Sequence, residues 1–189
     1  MNNILHQAIN NDKNVMIDKL ITGGYNVNQL DVDGNLPIHI ACKKGNLDLV
    51  RSLLESGSIC SIKNNIGLYP LHLATMSGNK ELVLELLSWG ASPNPINYDQ
   101  LTPIYYAVVL GYNDIVSIFC KIKEVNLNIK DKKNNTLLHI ACIQGYDEIV
   151  QTLISKNVMS NILNNENKTP YDIALEKEFN KIIKILNRK

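Results

Sequence analysis

The sequence has almost no excess charge of either sign. Its 19 Lys and Arg face 18 Asp and Glu, a formal net charge of +1 over 189 residues. Such a balance gives no electrostatic footprint for nucleic acid or an anionic membrane. Long apolar runs are missing as well: the longest, around Pro103–Leu110, is far too short to span a bilayer. The first residues, Met1 to Gln7, contain neither the basic segment nor the apolar core of a secretory signal. Asn2 stands where myristoylation needs glycine, and the Asn187-Arg188-Lys189 end has no cysteine for a prenyl group. Cysteine is sparse, with only Cys42, Cys60, Cys120 and Cys142, no C-x-x-C pair and no spacing suited to a disulfide framework. Partly buried, reduced thiols are therefore expected, which suits a cytoplasmic protein, with the nucleus as the alternative. No Gly-rich phosphate loop, nucleophile elbow or paired-carboxylate constellation is present. The sequence thus predicts no enzyme, with no catalytic residue, no cofactor and no metal.

At 45% hydrophobic and 20% charged, the composition is that of an ordinary folded chain. Asparagine is abundant, including the pairs Asn64-Asn65, Asn134-Asn135 and Asn164-Asn165, and reads as compositional bias rather than mechanism. One period organises the whole chain. Leu36-Pro-Ile-His-Ile-Ala-Cys42 is echoed by Tyr69-Pro-Leu-His-Leu-Ala-Thr75, Thr102-Pro-Ile-Tyr-Tyr-Ala-Val108, Thr136-Leu-Leu-His-Ile-Ala-Cys142 and Thr169-Pro-Tyr-Asp-Ile-Ala-Leu175. Pro37, Pro70 and Pro103 are spaced by 33 residues, whereas Gly111 to Gly145 spans 34, which places a one-residue insertion near Lys121–Glu124. The same phase run backwards reaches His6 in Ile4-Leu-His-Gln-Ala8. Six units follow: 1–30 and 164–189 as the terminal caps, with 31–63, 64–96, 97–130 and 131–163 between them in a single domain.

Each unit reads as two short helices and a turn. Proline suits the first helical position, where its missing N–H costs nothing. Gly45, Gly78, Gly111 and Gly145 permit the reversal after the first helix. Leu82, Val83, Leu86 and Leu87 carry helical spacing in a second helix, and Gly24, Gly57, Gly90 or Asn157 ends it. A single unit buries about five large apolar side chains, about 10 kcal/mol at roughly 2 kcal/mol each. Fixing its backbone costs about 1–2 kcal/mol per residue, so neighbouring units must supply the difference. Gln7 in the first unit and Lys181, Lys184 and Arg188 in the last give polar outer faces, so a complete, capped array is expected.

This period, with its (Thr/x)-Pro-Leu-His-x-Ala core and the glycines behind each helix, resembles the ankyrin-repeat family across essentially all 189 residues. The resemblance implies an all-α repeat solenoid of stacked helix-turn-helix units joined by short β-hairpin or turn connections. It also implies a non-enzymatic module that binds a partner protein on its concave hairpin and first-helix face. Departures from the pattern are local. Leu36 and Tyr69 replace the capping Thr, at a cost of about 1 kcal/mol each. Leu137 replaces the proline, Gln100 replaces a turn glycine, and Tyr105 and Asp172 stand in for histidine.

His6, His39, His72 and His139 share one repeat phase, which spaces them about 8–10 Å apart between neighbours and argues against a common metal ion. Cys42 and Cys142 share another, three units apart, too far for a disulfide. Asp31-Val-Asp-Gly34 has too few acidic ligands at the right spacing for a calcium loop. The basic amphipathic segment Phe179–Lys189 fits a terminal repeat helix better than a membrane or calmodulin ligand.

The resemblance places partner contacts at the turn tips and at the two residues before each first-helix glycine. Those positions hold an apolar centre, Ile66, Leu68, Met76, Tyr98, Leu101, Val109, Leu110 and Ile143, flanked by Lys43, Lys44, Lys132 and Lys133. One groove for a partner protein with an apolar strip and acidic flanks is expected, unless several of these side chains pack inside. Trp89 is either a second contact or a staple between units. A monomeric adaptor, with no nucleic acid or membrane partner, is the leading expectation. A chaperone similar to the ankyrin proteins of proteasome assembly, or the targeting domain of a larger enzyme, are the alternatives.

Overall fold

The computed structural model describes residues 4–187; Asn2, Arg188 and Lys189, on which sequence expectations fell, lie outside them. The described residues form twelve short helices of seven to nine residues. No helix of that length is stable alone in water. Helices α1 to α6 (Ile4–Asn10, Asn14–Thr22, Pro37–Lys43, Leu47–Glu55, Pro70–Met76 and Lys80–Ser88) belong to one compact unit, Met1–Tyr98. Helices α7 to α12 (Pro103–Val109, Asn113–Lys121, Leu137–Gln144, Asp147–Ser155, Pro170–Glu176 and Asn180–Leu186) belong to a second, Asp99–Lys189. In the first unit α3 packs on α1 and α5, and α4 on α6; in the second, α9 packs on α7 and α11, and α10 on α8 and α12. First helices thus stack on first helices and second on second, which makes the chain an all-α repeat solenoid.

The recurring residues are the ones that hold this stack. Leu36, Ile38, Ala41 and Cys42 are buried in the first unit, and Leu137, Leu138, Ala141 and Cys142 at the same phase in the second. Four of the six first helices begin on proline. The turns behind them require a left-handed residue, and Gly45, Gly78, Gly111 and Gly145 have φ between 69° and 77°. At the turn tips Gly67 (φ 83°) allows a close approach as well: a Cβ there would lie 2.7 Å from the Tyr98 backbone nitrogen. Gln100, in the place of such a glycine, is forced to φ 62°.

The histidines join the repeats within each unit. His39 Nδ1 accepts from the Leu36 N–H at 3.0 Å, and His139 Nδ1 from the Thr136 N–H at 3.2 Å. That fixes the proton of His39 and His139 on Nε2, and His139 Nε2 donates onward to the Lys168 carbonyl (3.0 Å); His6 Nε2 donates to the Asn35 carbonyl (2.8 Å), an acceptor that itself requires the proton there. His39 Nε2 lies near the Ile62 and Leu68 carbonyls without the geometry of a full hydrogen bond to either. Burial holds His39 neutral, with its pKa lowered to about 4, and lowers His6 and His139 in the same direction. Thr136 Oγ accepts from the His139 N–H, whereas Leu36 and Tyr69 provide no side-chain cap. Thr102, with Tyr105 in the place of histidine, has its hydroxyl buried without a partner.

Two expectations are revised by these contacts. The asparagine pairs are structural: Asn64 Oδ1 accepts from the Ile66 and Leu68 N–H groups, and Asn164 Oδ1 from those of Glu166 and Lys168. Asn64 and Asn164 then donate to Asn35 and Asn135 of the preceding repeat. Asn134 and Asn167 take the left-handed turn position. Of the hairpins, only an isolated antiparallel bridge between Lys130 and Thr136 forms among the described residues; the other connections are turns. The inserted residue falls, as expected, where α8 ends at Lys121 and Ile122 turns to an extended conformation (ψ 117°), in place of the left-handed turn that Gly24, Gly57, Gly90 and Asn157 make after α2, α4, α6 and α10. Finally, α12 packs on α10 and α11 through buried Ile182, and Lys181 pairs with Asp147.

Candidate protein-binding surface

Turn tips and first helices carry the side chains that the stack does not consume. In the unit Met1–Tyr98 these are Ile66, Tyr98 and Met76, with exposures of 67%, 60% and 38%. Beside Ile66 and Met76 lies a groove of about 440 Å³, floored by Ile40 and Leu73 and walled by Asp31, Asp33, Asn64 and Asn65. Leu68, 8% exposed with its N–H tied to Asn64 Oδ1, lies with Ile40 and Leu73 in the floor of the groove rather than standing out from it. Lys43 is exposed at the groove and has no ionic partner among the described residues. Lys44 is committed to Asp12 at 2.7 Å and to the Asn10 carbonyl at 3.0 Å, so it is not a free flanking charge. Lys63 lies over the Tyr98 ring, 4.5 Å from its centroid, which steadies that exposed aromatic.

In the unit Asp99–Lys189, Leu110 is exposed, and Val109, Ile143 and Leu101 are half-buried. Tyr105 turns its ring into a cavity of about 280 Å³, shared with Leu101, Asp99, Asp131, Lys132 and Lys133. In the sequence Tyr105 shows only as a break in the histidine phase, and its place beside this cavity comes from the fold. Its hydroxyl pKa is raised by burial and by the nearby carboxylates Asp131 and Asp99. Lys132 pairs with Asp99 at 2.5 Å, which leaves Lys133 as the uncommitted lysine of the pair.

Trp89 is 47% exposed and donates from its indole to Glu85 (3.1 Å), which also accepts from Arg51 across neighbouring second helices. Arg51 draws the Glu85 carboxyl below its ordinary range. The Cys142 thiol is pushed up to about 12 by burial, and Cys42 is raised as well, so neither presents a thiolate. Among the described residues no three His, Cys, Asp or Glu side chains converge on a metal site. No described helix is long and apolar enough to cross a membrane.

Comparison with known proteins agrees with this geometry. The Ankyrin repeats (3 copies) family matches residues 5–97, 59–131 and 104–189. An ankyrin repeat protein of Fowlpox virus (strain NVSL), FPV219, is 37% identical over 65 residues, which is 34% of this chain and 15% of that protein. Alpha-latroinsectotoxin-Lt1a of Latrodectus tredecimguttatus is 40% identical over 65 residues, 34% of this chain and 4% of the toxin. The chain therefore matches only a small part of the length of these relatives. The crystal structure of EF0377, an ankyrin repeat protein, shares the fold at a TM-score of 0.88 and 23% identity, over 97% of this chain and 96% of that one. The human ASB11 ankyrin repeat domain superposes at a TM-score of 0.85 and 26% identity, covering 97% of this chain and 82% of its own. With the repeat family matched along the chain and its helix pairs stacked as in those structures, this protein belongs to the ankyrin-repeat family.

Proposed function

We propose that this chain acts as a non-enzymatic adaptor, binding a partner protein through the turn tips and first helices of its repeats. Ankyrin repeats are generally protein–protein interaction modules, typically without chemistry of their own. The observation that carries the proposal is the division of labour between phases. Positions that recur, such as Ala41 and Ala141, are buried, whereas Ile66, Met76, Tyr98 and Leu110 vary between repeats and face solvent. Exposed apolar side chains beside a groove, as Ile66 and Met76 are, favour a protein partner, because burying each one contributes about 1.5–3 kcal/mol to a complex. Lys43 and Lys133 provide the free cations at the edges and favour acidic residues at the rim of the partner. The adaptor is expected to act as a monomer in the cytoplasm.

Met76→Asp and Leu110→Asp, made separately, test this reading. Each should remove the bound partner from affinity purifications of the tagged chain while the far-ultraviolet circular dichroism stays unchanged. Binding that survives both substitutions, or helicity lost together with binding, would remove these residues from the interface.

A further inference from the structure

The groove of the unit Met1–Tyr98 carries both signs of charge, and the two signs bracket α3. Asp31 and Asp33 lie in the turn before that helix, and Lys43 is its last residue. Asp31 accepts only from neutral donors, the N–H groups of Asp33 and Asn35 and the Asn35 amide, so it keeps its full charge. The exposed Asp33 carboxylate and the exposed Lys43 ammonium have no ionic partner among the described residues. Neighbouring Lys44 and Asp12 cancel in a pair of their own, and His39, the other titratable group of the groove, is held neutral by burial. Between the charged ends lies an apolar floor, Ile40 and Leu73, with exposed Ile66 and Met76 beside it.

We infer that this groove docks an extended segment of a partner protein that carries both charges. A lysine or arginine lies against Asp31 and Asp33, an aspartate or glutamate against Lys43, and a large apolar side chain between them on Ile40 and Leu73. The inference rests on the adaptor reading above and names the chemistry of its partner. Spacing follows from the helix between the charges. From Pro37 to Lys43 the axis rises about 9 Å, and the turn lies beyond the helix start. An extended chain advances about 3.3 Å per residue, so the basic and acidic residues stand about three to five positions apart. A segment of one sign is disfavoured at one end or the other: an all-acidic one meets two carboxylates, and an all-basic one meets Lys43. Complementary charges at both ends also fix the direction in which the segment lies.

Selection of a random-sequence phage-displayed peptide library on the full chain tests the inference, followed by fluorescence polarisation of the enriched peptides. Enriched peptides should place a large apolar residue between Lys or Arg and Asp or Glu. Their affinity should fall about fivefold or more with Asp33→Lys and with Lys43→Glu, equivalent to about 1 kcal/mol or more. Reversing the matching charge in the peptide should regain affinity: the basic residue changed to Glu for Asp33→Lys, the acidic one changed to Lys for Lys43→Glu. Lys156→Glu, just past the end of α10, should change nothing, and urea denaturation verifies the folding of each variant. Enriched peptides of a single sign, no enrichment at all, or affinity indifferent to either reversal would overturn it. If Met76→Asp abolishes binding of the cellular partner while Asp33→Lys and Lys43→Glu leave it intact, the adaptor reading stands and the two-charge occupant falls.

Discussion

Acidification should unfold this protein partly through His39, and the size of the effect follows from its burial. The imidazole is 0% exposed and accepts the Leu36 N–H on Nδ1, so protonating it would break that bond and place a charge in the core. Its pKa is lowered from an ordinary 6.5 to about 4 in the fold. The unfolded chain therefore takes up a proton below pH of about 6.5 that the folded chain refuses, and stability falls as pH drops from there toward about 4. Between pH 7 and pH 5 this one residue removes about 2 kcal/mol. With a urea dependence of about 2 kcal/mol per molar, that is a midpoint shift of about 1 M. The comparison is between the wild type and His39→Gln, whose amide oxygen accepts the same N–H but does not titrate. His6 and His139, also lowered by burial, contribute equally in both proteins and cancel. The depressed carboxyls Asp147 and Asp172 lose their contribution only below their ordinary 3.8, outside the window. Urea midpoints of the two proteins at pH 7 and pH 5 should differ by this shift; an identical pH dependence in both would refute the buried, neutral tautomer.

Three further outcomes follow from the packing. Gly67→Ala should destabilise by about 2 kcal/mol, because φ is 83° and the new Cβ would sit 2.7 Å from the Tyr98 nitrogen; urea denaturation measures it. Thr136→Ala should cost about 1 kcal/mol, whereas Thr102→Val should be nearly neutral, since only the first hydroxyl makes a capping bond; paired melting curves compare them. Cys42 and Cys142 should resist a thiol reagent in the native protein, and half-buried Cys60 should react first; mass mapping of labelled peptides over time reads the order.

The architecture was legible because it repeats. Proline at the helix start, the shared Ala and the histidine phase recur at a fixed interval, and each recurrence coincides with the same burial in the structure. The Thr136 to His139 cap was readable for the same reason. The surface was less legible, because variable positions share a phase without sharing a direction. Leu68 aligns with Asn35 and Asn135, and the same turn hydrogen bond holds all three N–H groups, yet only the folded turn leaves Leu68 8% exposed on the groove floor while Ile66, two residues before it, stays 67% exposed. In the sequence Lys44 and Lys132 look like free flanking charges. Each is neutralised by an aspartate in the preceding repeat, 32 or 33 residues away, a pairing set by stacking rather than by local sequence. Tyr105 was seen as a lost histidine, and the cavity beside it emerges only once its ring is placed. The asparagines looked like bias because their partners are turn N–H groups, which leave no side-chain signature in a sequence.

Hydroxyl-radical footprinting of the partner complex addresses most directly the idea that variable turn and first-helix positions perform recognition. Met76 and Tyr98 lie on that surface, whereas Trp89 and Met159 are equally open to solvent at 47% and 59% but follow second helices. Oxidation of Met76 and Tyr98 should drop on complex formation, with Trp89 and Met159 oxidised as in the free chain. Shielding of Trp89 and Met159 with no change at Met76 and Tyr98 would move recognition to the ends of the second helices and contradict the account.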